Sequence, residues 1–309
     1  MGRTRSHNTL CSQMIRSIDN SFCPGVSKRQ DKINGNYYPK SKVYSYSERK
    51  ALIATAKDFS HWIKTNYPQN KMMKTIDSQI VGQYLKSKQE TCTTNTIKAI
   101  AHRLDKIANT GSTMFNCPMN WGKVDIPKGK ETLRTIAMKE NDYQKIVSCL
   151  SSSYGKIAVE LSHAFGLRVS ECVNIRVCDI KGNKLIIYKS KGGKTRELYI
   201  KTAEQKEVIK KLHNITNEKG LSNHDKILPI KSQSANKWLR DRCKQLNITK
   251  YNSHKTSFHA IRKNWAIREY QQELKNTQGD TKKAWSHVCI KLGHGKDRED
   301  LRKVYLPKN

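Results

Sequence analysis

Residues 154–171, YGKIAVELSHAFGLRVSE, set the local organisation of the second half of this 309-residue chain. Their pattern predicts a helix over Tyr154–Phe165. Gly166 predicts the turn that follows, because glycine adopts the left-handed backbone that ends many helices at no steric cost. A short helix is predicted next, at 170–174. Arg168 therefore falls in a tight turn between two helices.

Residues 184–200, KLIIYKSKGGKTRELYI, predict a β-hairpin. Two alternating runs, 184–189 and 195–200, flank Gly192 and Gly193, and a Gly-Gly pair between such runs is a strong hairpin signal. Further helices are predicted at 141–151, 202–219, 234–246, 256–274 and 280–292, with a final short one that contains Tyr305. The predicted class is mainly α with a small antiparallel β-sheet.

The first 116 residues predict a polar segment followed by a helical bundle. Residues 1–43 are basic and interrupted by Gly and Pro, which predicts an extended arm with one short helix near residues 14–18. From Ser47, three helices with one apolar face each are expected, the last starting at Thr94 and ending at Gly111. Residues 117–135 carry turn residues without an apolar period and predict a linker.

The charge of the chain predicts a polyanionic partner. Lys and Arg total 59 against 26 Asp and Glu, which gives a formal net charge of +33. Such an excess repels itself unless a polyanion neutralises it, so nucleic acid is the leading partner and an anionic membrane surface is the rival. No segment approaches the roughly 20 apolar residues of a transmembrane helix, and the first residues lack the apolar region of a signal peptide. We expect no membrane partner.

The nine cysteines and three of the tryptophans predict structural roles. The cysteines are scattered and no C-x-x-C pair occurs, so neither a zinc ribbon nor a redox pair is indicated. Reduced, mostly buried thiols in a cytosolic protein are the expectation. Trp238, Trp265 and Trp285 are predicted core residues rather than platforms on which DNA bases stack.

Six residues in the second half of the chain suit phosphate chemistry. They are Arg168, Lys191, His259, Arg262, His294 and Tyr305. Each alone is a weak signal, because a hairpin lysine is usually surface charge and a tyrosine beside apolar residues is usually a packing residue. As a set they fit one reaction, the cleavage of a phosphodiester by a side-chain nucleophile.

This reaction needs cations that stabilise a pentavalent phosphorane. Arg168 and Arg262 can clamp its non-bridging oxygens, since guanidiniums stay charged and donate in a fork. His259 lies three residues before Arg262, so both can address one phosphate from one helical face.

Proton transfer accounts for the other members of the set. Tyr305 is the candidate nucleophile, and His259 is the candidate base that accepts its phenolic proton. Lys191 would protonate the departing 5′ hydroxyl, and His294 would donate to the phosphate or help to place Tyr305. A covalent phosphotyrosine conserves the bond energy, so no ATP, metal or other cofactor is expected.

The same residues give a family resemblance. Gly166-Leu167-Arg168-Val169-Ser170-Glu171, the hairpin Lys191, His259-Ala260-Ile261-Arg262, Leu292-Gly293-His294 and Tyr305 resemble, in order and approximate spacing, the motifs of the tyrosine recombinase (phage integrase) family. The match extends from about residue 136 to Tyr305. Residues 47–115 resemble the N-terminal core-binding domain of the family in position and pattern only.

The resemblance implies an organisation and an assembly. It divides the chain into a basic N-terminal arm (1–43), a helical, SAM-like core-binding domain that binds DNA (44–116), a linker (117–135) and a catalytic domain (136–309). The domains would close as a clamp on duplex DNA, and a homotetramer would exchange strands between two DNA sites through a Holliday junction. The first lysine of the hairpin, Lys191 rather than Lys194, would be catalytic. Glu171 would brace the arginine turn.

Two departures from the family are expected to matter. Residues 271–280 look longer than in compact relatives and predict a peripheral loop or an interface. Only four residues follow Tyr305, too few for the C-terminal helix that many relatives exchange between protomers. Assembly contacts would then come from elsewhere, or Tyr305 would itself lie on a mobile, exchangeable segment.

The resemblance implies a recombinase that integrates or excises a mobile element, in the cytoplasm and associated with the nucleoid. Directionality factors or DNA-bending proteins are further candidate partners. A chromosome- or plasmid-dimer resolvase of the Xer kind is the nearest alternative. A type IB topoisomerase and a DNA-binding relative without catalysis are the others.

Overall fold

The structure is a computed structural model that describes residues 9–35, 41–122, 124–130, 136–148, 153–188, 195–251, 257–296 and 298–306. Contacts between residues divide the chain into two compact units, Met1–Thr132 and Leu133–Asn309. Within the described ranges, no helix combines the length and the apolar character needed to cross a membrane.

The first unit is a helical bundle. Its helices are α1 (Leu10–Asn20), α2 (Lys28–Ile33), α3 (Tyr46–Asn66), α4 (Ser78–Ser87) and α5 (Thr94–Phe115), with a 3-10 turn at Met73–Thr75. Helices α1, α3, α4 and α5 share one apolar core, in which Phe59, Tyr84 and Ile107 are completely buried.

Helix α1 corrects the expectation of an extended arm. Met14 and Ile18 have no exposed surface, and they pack in the same core as α3 and α5. The Ser17 hydroxyl forms a hydrogen bond of 3.2 Å with the Thr110 hydroxyl of α5. The short helix expected near residues 14–18 exists, but it is longer and belongs to the bundle, because Leu10, Met14 and Ile18 recur at helical spacing on one face.

Residues 117–130 are also part of the first unit, although the sequence predicted a linker over 117–135. Trp121 is 2% exposed, and its indole Nε1 donates to the Met73 carbonyl at 3.1 Å. The backbone N–H of Lys130 donates to the Cys92 carbonyl at 2.9 Å. One buried tryptophan thus ties down a segment that has no apolar period. Residues 131–135 lie outside the described residues.

Helix α5 continues past Gly111, where the sequence predicted its end. It ends instead at Asn116, which adopts the left-handed backbone with φ +45°. Gly111 lets the Met73 side chain pack closely against α5, because a Cβ at this position would lie 2.4 Å from Met73 Cε. The glycine was therefore wrongly interpreted as a terminator.

The second unit is mainly helical with a small sheet. Its elements are α6 (Glu140–Val147), α7 (Tyr154–Phe165), α8 (Val169–Cys172), β1 (Ile180–Lys181), β2 (Lys184–Ile187), β3 (Arg196–Tyr199), α9 (Ala203–Glu218), α10 (Ser232–Gln245), α11 (Ser257–Asn276), α12 (Thr281–Lys291) and α13 (Arg302–Tyr305). The three strands are antiparallel in the order β1-β2-β3. The predicted fold class is confirmed.

Helix α7 is the centre of the second unit. It packs against α9, α10 and α11, and from Ile157 to Phe165 all its residues are buried. Gly166 ends it with φ +63° and lies against Trp265 of α11, whose ring would be 2.3 Å from a Cβ at this position. This close approach brings the arginine turn onto α11.

A smaller apolar cluster anchors α13. Tyr305 packs there with Trp265, Trp285, Val288 and Leu292 of α11, α12 and the residue that follows α12. The two tryptophans are buried, as predicted.

Residues 271–280 are not a loop throughout, because α11 extends through them to Asn276. Glu273 of this extension forms a hydrogen bond with His287 and an ion pair with Lys291 of α12, both at 2.7 Å. The longer segment therefore forms part of a helical hairpin.

Candidate active site

Arg168 lies at the N-terminus of α8, in a turn braced by Glu171. The Arg168 backbone N–H donates to Glu171 Oε2 at 2.9 Å, and its Nη1 donates to Oε1 at 2.9 Å. Helix α8 begins in this way because the carboxylate three residues on satisfies a backbone donor of the first turn. The side chain of Arg168 is 23% exposed, so it is partly accessible to a substrate.

Glu171 is also paired with an arginine that the sequence analysis missed. Arg196 of β3 donates from Nη1 to Oε1 at 3.1 Å and from Nη2 to Oε2 at 2.8 Å. Burial opposes ionisation of Glu171, but the hydrogen bonds and charges of its arginine partners hold the pKa of this carboxyl well below its ordinary value. The alternation of β3, which puts Arg196 on the inner face with Leu198, was the available signal.

Arg262 is the most deeply buried cation of the site, at 1% exposure. From α11, its Nη1 donates to the Gly166 carbonyl and its Nη2 to the Leu292 carbonyl at 2.6 Å. Arg168 Nη1 approaches the same Leu292 carbonyl at 3.5 Å, so the two guanidiniums are neighbours. Burial lowers the pKa of Arg262 from its ordinary value, as does the charge of Arg168, while Tyr305 and Glu171 oppose the shift.

Tyr305 reaches this cationic centre from α13. Its hydroxyl oxygen accepts from Arg262 Nε at 3.4 Å and lies 3.5 Å from His294 Nε2. The ring is 5% exposed, and the His259 ring meets it edge-on with centroids 5.4 Å apart. The phenol is therefore surrounded by an arginine and two imidazoles.

His294 follows Gly293, whose φ of +72° ends the turn after α12. Its Nε2 faces two donors, Arg262 Nη2 at 3.5 Å and the Tyr305 hydroxyl. Nε2 must then accept, which favours the neutral Nδ1–H tautomer. Burial, followed by the charges of Arg262 and Arg168, lowers the pKa of His294 to about 3.

The structure thus gathers five of the six residues singled out in the sequence, which are Arg168, His259, Arg262, His294 and Tyr305. Lys191 lies outside the described residues.

Comparison with protein families decides the affiliation of this arrangement. The phage integrase family matches residues 137–279, a span that contains Arg168, Lys191, His259 and Arg262. Residues 137–279 of this chain are therefore similar to the phage integrase family. The phage integrase family comprises tyrosine recombinases, which are DNA strand transferases that act in DNA recombination. No curated protein sequence matches the chain.

Solved structures of two integrases and of a site-specific recombinase share the fold. A lambda integrase tetramer bound to a Holliday junction is 17% identical, covers 96% of this chain and 81% of its own, and has a TM-score of 0.63. The Tn1549 transposon integrase in complex with circular intermediate DNA is 13% identical, with 97% and 96% coverage and a TM-score of 0.60. The XerH recombinase in a post-cleavage complex with palindromic difH is 11% identical, with 97% and 96% coverage and a TM-score of 0.59.

Proposed function

We propose that this chain is a tyrosine recombinase, a site-specific enzyme that cuts and rejoins duplex DNA through a covalent 3′-phosphotyrosine at Tyr305. The observation that carries the proposal is the position of the Tyr305 hydroxyl, 3.4 Å from Arg262 Nε and 3.5 Å from His294 Nε2. A phenol placed against a buried guanidinium is next to the charge that would stabilise a phosphorane.

The proposed cleavage step transfers the scissile phosphoryl group to Tyr305. The phenolic oxygen attacks phosphorus, the bond to the 5′ oxygen breaks, and the 3′ phosphate remains on the tyrosine. Arg168 and Arg262 would hold the non-bridging oxygens, since both stay charged and can donate in pairs. Lys191 would give its proton to the departing 5′ hydroxyl. Rejoining runs the same steps backwards with another 5′ hydroxyl.

Two histidines border the phenol and are proposed to divide the remaining work. His259, whose ring contacts Tyr305 edge-on, is the proposed proton acceptor. His294 is proposed to place the Tyr305 hydroxyl, which the 3.5 Å contact of its Nε2 supports. A bound phosphate would offset the charges of Arg168 and Arg262 that depress the pKa of His294, and the ring could then also donate to the phosphate.

Duplex DNA and further copies of this chain are the proposed partners. The net charge of +33 supports DNA binding that weakens steeply with salt. The lambda integrase neighbour is a tetramer on a Holliday junction, and we propose a homotetramer on two DNA sites for this chain as well. The proposed domain roles remain a core-binding first unit and a catalytic second unit.

We propose that the biological reaction is the integration or excision of a mobile element. Dimer resolution of the Xer kind is the alternative, because XerH shares the fold and the strand-transfer chemistry would be the same. Recombination between paired sites on one plasmid distinguishes these reactions from simple relaxation, which a topoisomerase would give without a second site.

The test of the chemistry is a nicked suicide substrate that carries a site selected by the purified protein from random DNA. We expect a covalent protein–DNA adduct without metal or ATP. Tyr305→Phe should abolish the adduct while DNA binding persists. Tyr199→Phe, at a tyrosine exposed on the sheet, is the matched control and should react normally. Absence of any wild-type adduct on DNA that the protein binds would refute the proposal.

A further inference from the structure

Arg196 forms a deeply buried ion pair with Glu171, and the proposed cleavage step does not use it. Both side chains are 6% exposed. The guanidinium of Arg196 engages both carboxylate oxygens of Glu171, at 3.1 and 2.8 Å. Two parallel bonds of this kind fix orientation as well as distance, so Arg196 determines where the Glu171 carboxylate lies.

Glu171 faces two more guanidiniums, and both are proposed to hold the scissile phosphate. Arg168 contributes Nη1 at 2.9 Å, and Arg262 Nη1 stands 3.8 Å from Oε2, beyond hydrogen-bond distance. The Glu171 carboxylate and the scissile phosphate would therefore compete for the N–H donors of Arg168 and Arg262. Because Arg196 occupies the bidentate position, the hold of Glu171 on the other two arginines is limited.

Gly293 makes room for this arrangement. A Cβ at position 293 would lie 2.9 Å from Arg196 Nη1 and 3.3 Å from its Cζ. The guanidinium consequently sits directly against the turn that precedes His294. Arg196, Glu171 and Gly293 come from three separate sequence motifs. Arg196 contacts both other residues and so links these motifs.

We propose that Arg196 is a positioning residue for strand transfer, which acts by saturating Glu171 so that Arg168 and Arg262 keep the geometry that binds the scissile phosphate. The inference rests on the proposed function. If Arg196 were removed, the buried carboxylate would lose its main partner and would draw the remaining guanidiniums toward itself. Displacement of a phosphate-binding group by about 1 Å can cost about 10²-fold in rate.

The experiment is a double-mutant cycle on single-turnover cleavage of the suicide substrate at saturating DNA. The variants are Arg196→Met, Glu171→Gln and the pair together, with Arg196→Lys as the conservative change. We expect R196M to cleave about 10²-fold more slowly than wild type with its DNA affinity nearly unchanged. R196K should be slowed less, because it keeps the charge but loses the fork. In the E171Q background, R196M should change the rate by less than about threefold.

Lys184→Met is the matched control, since Lys184 pairs with Glu197 at 2.8 Å on the exposed side of the same hairpin. It should cleave at the wild-type rate. A purely structural role for Arg196 predicts independent effects, so R196M would slow E171Q as much as it slows wild type, and that result would overturn the proposal. R196M cleavage at the wild-type rate would overturn it too.

Two outcomes separate the failure of this inference from that of the proposed function. If wild type forms no adduct, the proposed function fails first. If R196M is unfolded by circular dichroism, the comparison of E171Q with the double variant still decides, because neither of these two variants contains the ionised Glu171 carboxylate. A further loss of more than about threefold in the double variant would contradict the inference.

Discussion

The guanidinium side and the nucleophile side of this active site are held in place by different forces. Arg168 is fixed by its ion pair with Glu171, and Arg262 is fixed by hydrogen bonds to two backbone carbonyls. Tyr305 lies on a helix of four residues that is held by apolar packing and by the hydrogen bond from Arg302 to Tyr270. A substitution that removes the donors of a buried guanidinium should slow cleavage strongly. Loss of one contact of the short helix should slow it less, because the helix would only spend less time in place.

The largest of these effects is expected on the guanidinium side, from Arg262→Lys. Lysine keeps the charge but cannot give the forked donors that Arg262 directs at two carbonyls and Tyr305. We expect cleavage to fall by about 10²–10³-fold, as for the loss of a donor to a transition-state oxyanion. Single-turnover cleavage and DNA affinity would be measured together.

Arg298→Lys provides the control for that substitution. Arg298 pairs with Asp300 at 2.7 Å at the surface, so the same change should leave cleavage unaltered. A rate for R262K that matches wild type would mean that charge alone suffices on the guanidinium side.

A smaller effect is expected on the nucleophile side, from Arg302→Ala. Arg302 Nη2 donates to the Tyr270 hydroxyl at 2.9 Å and thereby ties α13 to α11. Loss of one such hydrogen bond should slow cleavage by about three- to tenfold, because Tyr305 is less often in place. Lys303→Ala, an exposed neighbour, should have no effect. Equal slowing by both substitutions would show that general positive charge, not the tie to Tyr270, matters.

The smallest effect concerns His294, where the two sides meet. Its pKa of about 3 in the folded protein lies below the ordinary value of 6.5, so between these values the unfolded state binds a proton that the folded state does not. Folding stability should therefore fall as pH decreases from about 6.5 toward 3. His294→Gln should weaken this dependence, measured as urea midpoints at several pH values. Identical pH profiles for the two proteins would contradict the neutral, buried imidazole.

The residues that sequence reasoning found and missed differ in a physical way. Gly166 and the spacing of His259 and Arg262 are local signals, and the structure places all of them as the local rules predict. The full length of helix α1 and its place in the bundle were missed, because polar residues surround its narrow apolar stripe and its packing partners are distant in sequence. The burial of Trp121 was also missed, because its hydrogen-bond partner, the Met73 carbonyl, is distant in sequence.

Arg196 illustrates the limit best. It stands in a hairpin with several other basic residues, and composition alone cannot tell which of them is buried. The strand alternation places it inward, yet an inward arginine gains meaning only when Glu171 is known to face it. The sequence therefore does not determine which residues, distant along the chain, form ion pairs in this site.

The most direct test of the central claim is the identity of the residue that becomes linked to DNA. The covalent complex trapped on a suicide substrate would be digested with nuclease and trypsin and analysed by mass spectrometry. We expect a nucleotide joined through its 3′ phosphate to Tyr305 in the peptide VYLPK, residues 304–308. A nucleotide on Tyr270 or on any other residue, with residues 304–308 unmodified, would contradict the account.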